Sequence, residues 1–310
     1  MTFWLASAYV VGSAGVGVAA LKSARRQTMT DLTGTLTVVT GGGQGVGFAL
    51  AAEAARLGSR VVIGSLTDAA PAVEKLRSEG HEADWFQVDV SDPDEVDAFA
   101  TFVQEKHGPA NVVINNAAGG GAQGSLFESE VDALRRTLDV NVLGYIWIIR
   151  AFAGDLAANA KEGKPAYVLN VGSEHSLGVP PHVMPLSGYT ISKQADLAIT
   201  ETVRRDLAAT GVQVSLLAPG WVLTESVSAI MDKSEEFRAA VEPYVQPAAD
   251  VARIALEGLS NGREIIVTNP KSVPFARARA EAVLRDLDAA ERGRGQDHSG
   301  DISKCPVMGR

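Results

Sequence analysis

Residues 36–56 read LTVVTGGGQGVGFALAAEAAR, a stretch that joins an apolar run to a cluster of glycines and then to a helical segment. The run Leu36 to Val39 ends at Thr40, five glycines lie between positions 41 and 47, and alanine-rich sequence follows from Phe48. Strand, glycine turn and helix in this order are typical of a dinucleotide site. Glycines let the backbone approach a pyrophosphate, and the helix presents unpaired N–H groups and the positive end of its dipole.

The size and composition of the chain are those of an ordinary globular protein. Its 310 residues, 46% hydrophobic and 21% charged, suffice for one large α/β domain with a substantial buried core. The formal net charge is −9 and the basic residues form no dense block, so we expect no nucleic-acid partner. The single cysteine, Cys305, cannot form an internal disulfide or a cysteine zinc site and fits a reducing, cytoplasmic compartment.

The N-terminal segment, residues 1–28, departs from this composition. The nineteen residues from Phe3 to Leu21 carry no charge and are followed by three basic residues. At about 1.5 Å per residue, such a helix just crosses a bilayer core of roughly 30 Å, and the charges after it would leave the rest of the chain facing the cytoplasm. Two alternatives stay open: a weakly hydrophobic surface helix, or a natural start at Met29 that makes the segment an extension.

From Thr35 onward, short apolar runs alternate with stretches of helical character, the pattern of a parallel sheet covered on both faces. The sequence therefore predicts one doubly wound α/β domain over residues 29–270, a Rossmann fold with a mostly parallel seven-stranded sheet. Its strands are predicted at 36–39, 60–64, 83–90, 111–115, 166–171, 212–217 and 264–267. Its helices are predicted at 48–57, 71–80, 92–107, 130–160, 187–210 and 248–259.

Two segments lie outside this alternation. Residues 224–246 are predicted to form a helical excursion where a substrate lid would sit. The apolar candidates for lid contacts are Val222, Leu223, Val227, Ile230 and Met231. Residues 271–310 form a charged tail, predicted to be a solvated helix that becomes disordered after Arg292. The narrow apolar stripe of that helix comprises Val283, Leu284 and Leu287.

Six sequence elements follow one another from the glycine turn onward. They are Thr40-Gly41-x-x-x-Gly45-x-Gly47, Asn115-Asn116-Ala117, Asn141, Ser173, Tyr189-x-x-x-Lys193 and Pro219-Gly220-x-x-x-Thr224. In this order the set resembles the short-chain dehydrogenase/reductase family, and the resemblance covers roughly residues 29–270. It implies an NAD(P)-dependent oxidoreductase that interconverts a secondary alcohol and a ketone. It also implies a homodimer or homotetramer built on the two long helices.

The pair Tyr189 and Lys193 makes chemical sense without the resemblance. The residues are four apart, so both lie on one face of a helix. A phenol titrates near pH 10 and is a poor acid–base group at neutral pH, whereas a neighbouring ammonium favours the phenolate. Tyr189 is therefore predicted to donate a proton to a carbonyl as hydride arrives, or to accept one in the oxidation direction.

The resemblance implies roles for other residues. Lys193 would also hold the nicotinamide ribose, Ser173 would hydrogen-bond the substrate oxygen, and Asn141 would support a water that connects Lys193 to solvent. The residues it implies for cofactor binding are Thr40, Gly41, Gln44, Gly45, Val46, Gly47, Ser65, Asp89, Val90, Asn116, Ala117, Tyr189, Lys193, Pro219, Gly220, Val222 and Thr224.

The choice between NAD and NADP depends on the end of the second strand. An acidic residue there binds the ribose hydroxyls in NAD enzymes of the family. This position is Ser65, which tolerates a 2′-phosphate, while Leu66 and Gln44 stand where an NADP enzyme usually has an arginine. The balance favours NADP over NAD weakly. Asp89 and Val90 match the position that contacts adenine.

Three departures from the family pattern concern the loops around the site. Ala118 precedes Gly119, where the family usually has glycine directly after Asn-Asn-Ala. Ser173 and Tyr189 are sixteen residues apart, a few more than usual. Glu174 and His175 follow the serine directly. The candidate substrate contacts are Glu174, His175, His182 and Trp221. No His, Asp, Glu or Cys group has metal-ligand spacing, so no metal is expected.

The apolar lid candidates indicate a lipophilic substrate of steroid, terpenoid, polyketide or acyl type. One alternative is a non-catalytic dinucleotide-sensing protein, although such a protein should have lost Tyr189 or Lys193 and this chain has both. The other is a membrane-anchored reductase of lipid or retinoid type, which depends entirely on residues 1–28.

Overall fold

A computed structural model describes residues 31–119 and 124–293, and strands alternate with helices along them. The strands are β1 (Leu36–Thr40), β2 (Arg60–Ser65), β3 (Ala83–Gln87), β4 (Val112–Asn115), β5 (Tyr167–Val171), β6 (Gln213–Ala218), β7 (Val222–Leu223), β8 (Gln246–Pro247) and β9 (Ile265–Val267). The helices are α1 (Gly45–Arg56), α2 (Ala70–Ser78), α3 (Pro93–His107), α4 (Val131–Leu138), α5 (Gly144–Lys161), α6 (Ser187–Asp206), α7 (Glu225–Lys233), α8 (Glu235–Val241), α9 (Ala248–Ser260) and α10 (Val273–Gly293).

Seven strands form one parallel sheet in the order β3-β2-β1-β4-β5-β6-β9. The central strands β1 and β4 are buried along their whole length, because both of their faces are covered by helices. One apolar layer packs α1, α2 and α9 against the sheet, and a second packs α3, α5 and α6 against the opposite face. The predicted doubly wound Rossmann fold is confirmed.

The strand order reverses direction between β1 and β4, which are neighbours although the chain runs outward from β1 through β2 and β3 first. In open α/β sheets, ligands bind outside the carboxyl ends of the strands at such a switch point. The glycine turn after β1 and the Asn116 loop after β4 meet there. The fold thus places the site before any side chain is considered.

Some predicted boundaries differ from the observed ones for local reasons. The third strand ends at Gln87 rather than at residue 90, because Asp89 turns away: its N–H donates to Glu95 Oε2 at 2.7 Å and its carboxylate accepts from Ser91. The long helix predicted at 130–160 is α4 and α5 joined by a π-helical turn, Asp139–Leu143. The following long helix ends at residue 206 and continues as a 3₁₀ turn, Ala208–Thr210.

The predicted excursion over residues 224–246 contains α7 and α8, and it is flanked by the two-residue strands β7 and β8, which the sequence did not predict. The predicted C-terminal helix is α10, and its stripe at Val283, Leu284 and Leu287 is exposed. Several predictions fall on residues outside the described ranges. They are the anchor at residues 3–21, the start at Met29 and, beyond Gly293, the disorder predicted after Arg292.

The run Val131–Lys161 contains an 18-residue window with a mean hydropathy of 1.3 and, by length and composition, could cross a membrane. Its second half is α5, whose side chains Ile148, Phe152 and Leu156 are fully buried against the sheet. Core helices of globular proteins pass the same test of length and composition, so this run is accounted for by its packing in the fold.

Candidate active site

The glycine turn between β1 and α1 has a backbone that only glycine adopts easily. Gly41 and Gly45 have φ of 63° and 58°, in the left-handed region. A Cβ on Gly47 would lie 2.3 Å from the carbonyl oxygen of Gly41, so the helix approaches the turn as closely as two backbones allow. The N-cap residue Gln44 makes no side-chain hydrogen bond to α1. The Gly45 N–H donates to Glu225 Oε2 at 3.1 Å, so the backbone of the turn binds an anionic group.

The loop after β4 is fastened to this turn by side-chain hydrogen bonds. Thr40 Oγ1 accepts from the N–H groups of Asn116 and Ala117 at 3.0 and 3.1 Å. Asn116 Nδ2 donates in return to the carbonyl oxygens of Thr40 and Gly41 at 3.0 and 3.1 Å. The sequence predicted Thr40 as a direct cofactor contact. Thr40 is instead buried and does not line the cavity, because its hydroxyl is used to hold the two loops together.

A cavity of about 700 Å³ extends from the glycine turn over the ends of β2 and β3. The predicted cofactor residues that line it are Gly41, Gln44, Gly45, Val46, Gly47, Ser65, Asp89, Val90, Asn116, Ala117 and Thr224. The residues that line it and were not predicted include Asp68, Arg136, Val140 and Glu225. Its volume and its position at the switch point fit a dinucleotide.

The wall of this cavity near Ser65 bears on the choice of dinucleotide. Ser65 is buried and lines the cavity without contributing a charge. Asp68 also lines it, and one of its oxygens accepts from the Ala70 N–H at 2.8 Å. The basic residue of the lining, Arg136, lies 3.5 Å from Asp89 in an ion pair. This wall therefore holds both acidic and basic side chains.

A second cavity of about 400 Å³ adjoins the first, because Val46, Asn116, Ala118 and Thr224 line both. The predicted residues that line it are Ser173, Glu174, His175, Tyr189, Lys193, Pro219, Gly220, Trp221 and Val222. The apolar residues that complete it include Val183, Leu186 and Val227. Of the five lid candidates only Val222 and Val227 line this cavity. Leu223 and Ile230 are exposed, and Met231 is buried.

Ser173 follows β5 and forms the N-cap of a short 3₁₀ turn, Glu174–Ser176. Its side chain accepts from the backbone of Ser176, and the Ser176 hydroxyl accepts from the Ser173 N–H at 3.1 Å. This capping box fixes the position of the Ser173 hydroxyl at the cavity wall while its proton can still be donated.

Tyr189 and Lys193 lie one turn apart on the inner face of α6, as predicted. Lys193 is 2% exposed, and its Nζ lies 5.7 Å from the Tyr189 ring centre. The ammonium donates to the carbonyl oxygen of Val171 at 2.9 Å and to Asp196 Oδ2 at 2.9 Å. Burial opposes the charged form, but the Asp196 carboxylate raises the pKa of Lys193 well above its usual value. Lys193 is therefore a cation at any ordinary pH.

Asp196 is a site residue that the sequence did not reveal. Its side chain is fully buried, and burial raises its pKa to about 6 against the opposing charge and hydrogen bond of Lys193. Aspartate is usually exposed, so an isolated Asp in a helix is first interpreted as a surface residue. The available signal was its spacing, since it lies three residues after Lys193 and seven after Tyr189, on the buried face of the same helix.

Asn141 lies in the π-helical turn between α4 and α5 and is fully buried. Its Oδ1 accepts from the Gly119 N–H at 2.8 Å, and its Nδ2 donates to Ser192 Oγ at 3.0 Å. Asn141 lines neither cavity, but it connects the loop after β4 to the helix that carries Tyr189 and Lys193. The π-helical turn gives its side chain this direction.

Glu174 and His182 were predicted as candidate substrate contacts, and the structure engages both with other protein groups. Glu174 Oε1 lies 3.1 Å from His182 Nε2, and Glu174 Oε2 accepts from Ser272 Oγ at 2.5 Å. His182 stacks on Tyr244 with ring centres 4.5 Å apart and does not line the cavity. The pair thus fixes the loop over the site to the C-terminal part of the chain.

His175, Trp221 and Glu174 remain candidates for substrate contact, since all three line the second cavity. The His175 ring packs edge-on against Tyr189 at 5.3 Å, and its Nδ1 lies 2.9 Å from Thr190 Oγ1. Burial, with the nearby His182 and Lys193, lowers the pKa of His175 to about 4. It therefore presents a neutral imidazole to the cavity. Within residues 31–119 and 124–293, no cluster of His, Cys, Asp and Glu could hold a metal ion.

Known proteins match this chain over the part that carries both cavities. The family model for short chain dehydrogenases matches residues 35–235. A 1-deoxy-11-beta-hydroxypentalenate dehydrogenase from Streptomyces exfoliatus is 32% identical over 235 residues, 75% of this chain and 82% of the relative. A 2,5-dichloro-2,5-cyclohexadiene-1,4-diol dehydrogenase from Sphingobium indicum is 28% identical over 73% of this chain and 86% of the relative.

Solved structures agree with these sequence matches. A short-chain dehydrogenase/reductase from Burkholderia phymatum, in complex with NAD, superposes with a TM-score of 0.74 at 29% identity. The superposition covers 83% of this chain and 97% of that chain.

Proposed function

The chain belongs to the short-chain dehydrogenase family, and from that premise we propose that it interconverts a secondary alcohol and a ketone with Tyr189 as general acid and base. The observation that carries the proposal is the junction of the two cavities. The glycine turn lines one of them, and Ser173, Tyr189 and Lys193 line the other. A substrate in the second cavity would therefore meet the proton donors at the nicotinamide end of a bound dinucleotide.

A bound nicotinamide dinucleotide supplies or accepts the hydride, and the residues around it would hold it in register. The glycine turn and the first turn of α1 line the first cavity and would bind the pyrophosphate, which would displace Glu225 Oε2 from the Gly45 N–H. Asp89 and Val90 would contact the adenine, and Ser65 the adenosine ribose. We propose NADP or NAD as the cofactor, with the weak preference for NADP that an uncharged Ser65 supports.

The proton is handled by protein groups. Ser173 would donate a hydrogen bond to the substrate oxygen and Tyr189 would exchange a proton with it, while the Lys193 ammonium, 5.7 Å from the ring, stabilises the phenolate. Lys193 would also reach the nicotinamide ribose. Asn141 would act on this arrangement from outside the cavities, by fixing Gly119 and Ser192.

The proposed substrate is a lipophilic alcohol or ketone of steroid, terpenoid, polyketide or acyl type. Val183, Leu186, Trp221 and Val227 support this class, because they give the second cavity an apolar wall. The names of the relatives from Streptomyces exfoliatus and Sphingobium indicum denote a hydroxy compound and a diol as their substrates.

Replacement of Tyr189 by phenylalanine tests the proposal. A screen of hydroxysteroids, terpenols and 3-oxoacyl thioesters with NAD and NADP, followed at the nicotinamide absorbance, first identifies a substrate. We expect Tyr189→Phe to lower kcat roughly 10²–10⁴-fold while dinucleotide affinity stays within a few fold. Tyr167→Phe, in β5 and outside both cavities, is the matched control and should keep full activity. Near-normal turnover by folded Tyr189→Phe would refute the assignment.

Two further properties are proposed from the sequence and the family. We propose a homodimer or homotetramer in a reducing, cytoplasmic compartment. Separation of membrane and soluble fractions, for the full chain and for a chain starting at Met29, tests the anchor at residues 3–21. Full-length protein in the soluble fraction removes the anchor and, with it, the membrane-anchored lipid reductase. Dinucleotide binding without turnover of any screened alcohol or ketone would favour the dinucleotide-sensing alternative.

A further inference from the structure

The buried ion pair between Lys193 and Asp196 is unusual for its depth. The two side chains are 2% and 0% exposed, and the second carboxylate oxygen, Oδ1, has no hydrogen-bond partner among the described residues. A buried carboxylate that lacks part of its hydrogen bonding is costly, so packing alone does not explain an aspartate here. Its position offers a reason: Asp196 contacts the Lys193 ammonium from about one helical turn further along α6 and does not line the second cavity.

The charges of this pair act on Tyr189 in opposite directions. The Lys193 ammonium is near the phenol and favours the phenolate, whereas the Asp196 carboxylate disfavours it from a greater distance. Tyr189 and Asp196 are seven residues apart, which is about 10 Å along a helix. The carboxylate therefore cancels part of the field of the nearer ammonium.

We infer that Asp196 is a positioning residue that holds the Lys193 ammonium in place and, by cancelling part of its charge, sets the pH range in which Tyr189 accepts a proton. This inference rests on the proposed function, because it assigns Asp196 a role through Tyr189 and Lys193.

Glu174 lines the same cavity as Tyr189 but is engaged by His182 and Ser272, and the titratable groups nearest the pair are Tyr145 and His175. Tyr145 of α5 donates its hydroxyl to the carbonyl oxygen of Val171 at 2.9 Å, and burial raises the pKa of Tyr145 above its usual value, so it stays neutral. His175, on the turn after β5, is neutral because burial lowers its pKa to about 4. Asp196 itself is ionised above pH 6, because its pKa is raised only to about 6.

Asp196→Asn removes the negative charge while its amide oxygen can still accept from the ammonium. The substitution removes the repulsion between the Asp196 carboxylate and the Tyr189 phenolate. At a separation of about 10 Å and an effective dielectric constant of about 20, this repulsion is equivalent to about one pH unit. The acid limb of the pH profile for alcohol oxidation should therefore move down by about one pH unit. We expect kcat above this limb to stay within a few fold of the parent. A purely structural role would lower the rate at every pH and leave the limb in place.

The test includes a control variant and a second variant at position 196. Asp206→Asn, at the exposed end of the same helix, removes an equal charge far from the site and should leave the limb unmoved. If Asp196→Asn does not fold, Asp196→Ser removes the same charge with a smaller side chain that leaves room for water. A limb that does not move, or that moves to higher pH, overturns the inference. The latter would show that Asp196 serves to keep Lys193 protonated.

A second readout separates this inference from the proposed function. Tyrosinate absorbance is titrated in the apo protein, and the signal of Tyr189 is obtained as the difference from the matching Tyr189→Phe protein. The same downward shift of about one pH unit is expected in the Asp196→Asn background. A protein without alcohol or ketone turnover contradicts the proposed function, yet this titration still decides whether Asp196 controls the ionisation of Tyr189.

Discussion

Gly47 is the position in the glycine turn where an added methyl group has least room. In Gly47→Ala, the new Cβ would lie 2.3 Å from the carbonyl oxygen of Gly41 and 2.4 Å from Asn116 Nδ2. Neither atom is the free end of a flexible side chain, because Asn116 Nδ2 donates to that same carbonyl oxygen at 3.1 Å. The helix and the turn must therefore separate.

The size of the effect follows from three contributions. Relief of the overlap needs a shift of roughly 1 Å, which in a close-packed region costs about 1–3 kcal/mol. Weakening of the Asn116 hydrogen bonds adds about 1 kcal/mol. Alanine gains at most about 1 kcal/mol over glycine in a helix. We expect the free energy of unfolding to fall by about 2 kcal/mol and the affinity for dinucleotide to fall at least tenfold.

Urea unfolding and dinucleotide titration measure these two quantities. Gly154→Ala is the matched control, since Gly154 lies in α5 and a Cβ there meets nothing within 4 Å. That variant should gain about 0.5–1 kcal/mol. If Gly47→Ala is as stable as the parent and binds dinucleotide equally well, the close contact does not define the turn and the reasoning fails.

Two other predictions concern pH and cofactor choice. The folded pKa of His175, about 4, lies below its ordinary value of 6.5, so its contribution to stability is present above pH 6.5 and lost as pH falls toward 4. The loss amounts to about 3 kcal/mol, and urea unfolding should show a flatter pH dependence for His175→Gln; equal slopes would contradict it. Ser65→Asp places a carboxylate on the first cavity wall and should lower the ratio of NADP to NAD affinity tenfold or more, whereas an unchanged ratio would place the adenosine end elsewhere.

The sequence predicted the layered fold because its signals are local and repeated. Apolar runs such as Val112–Asn115 are too short for helices, and the glycines after β1 and the prolines and glycines at helix ends mark the boundaries. It did not predict β7 and β8, since two residues cannot show a period. It extended the third strand too far, because the alternation at residues 88–90 continues while the hydrogen bonds of Asp89 end the strand.

The sequence predicted the site as a set of residue types in a fixed order. In the structure, several of these residues contact other protein groups that the sequence did not indicate. Thr40 and Asn141 act through other loops, and Glu174 and His182 bind each other, because hydrogen-bond partners distant in sequence determine what a polar side chain does. Asp196 was missed for a related reason. Its partner is close in sequence, but whether a helical Asp–Lys pair is buried depends on what the rest of the chain packs against it.

The Asn116 side chain hydrogen-bonds to Gly41 and Thr40, which precede it by 75 and 76 positions in the sequence. This separation affects the order in which the protein folds. Closing so long a loop costs chain entropy before any contact can offset it. Parallel strands that are so far apart in sequence therefore pair slowly. A partly synthesised chain that ends before β4 contains the glycine turn but lacks Asn116, whose side chain holds that turn in place. We therefore expect the anion cradle to assemble only after β4 docks beside β1, as a late event of folding and not as a local nucleus.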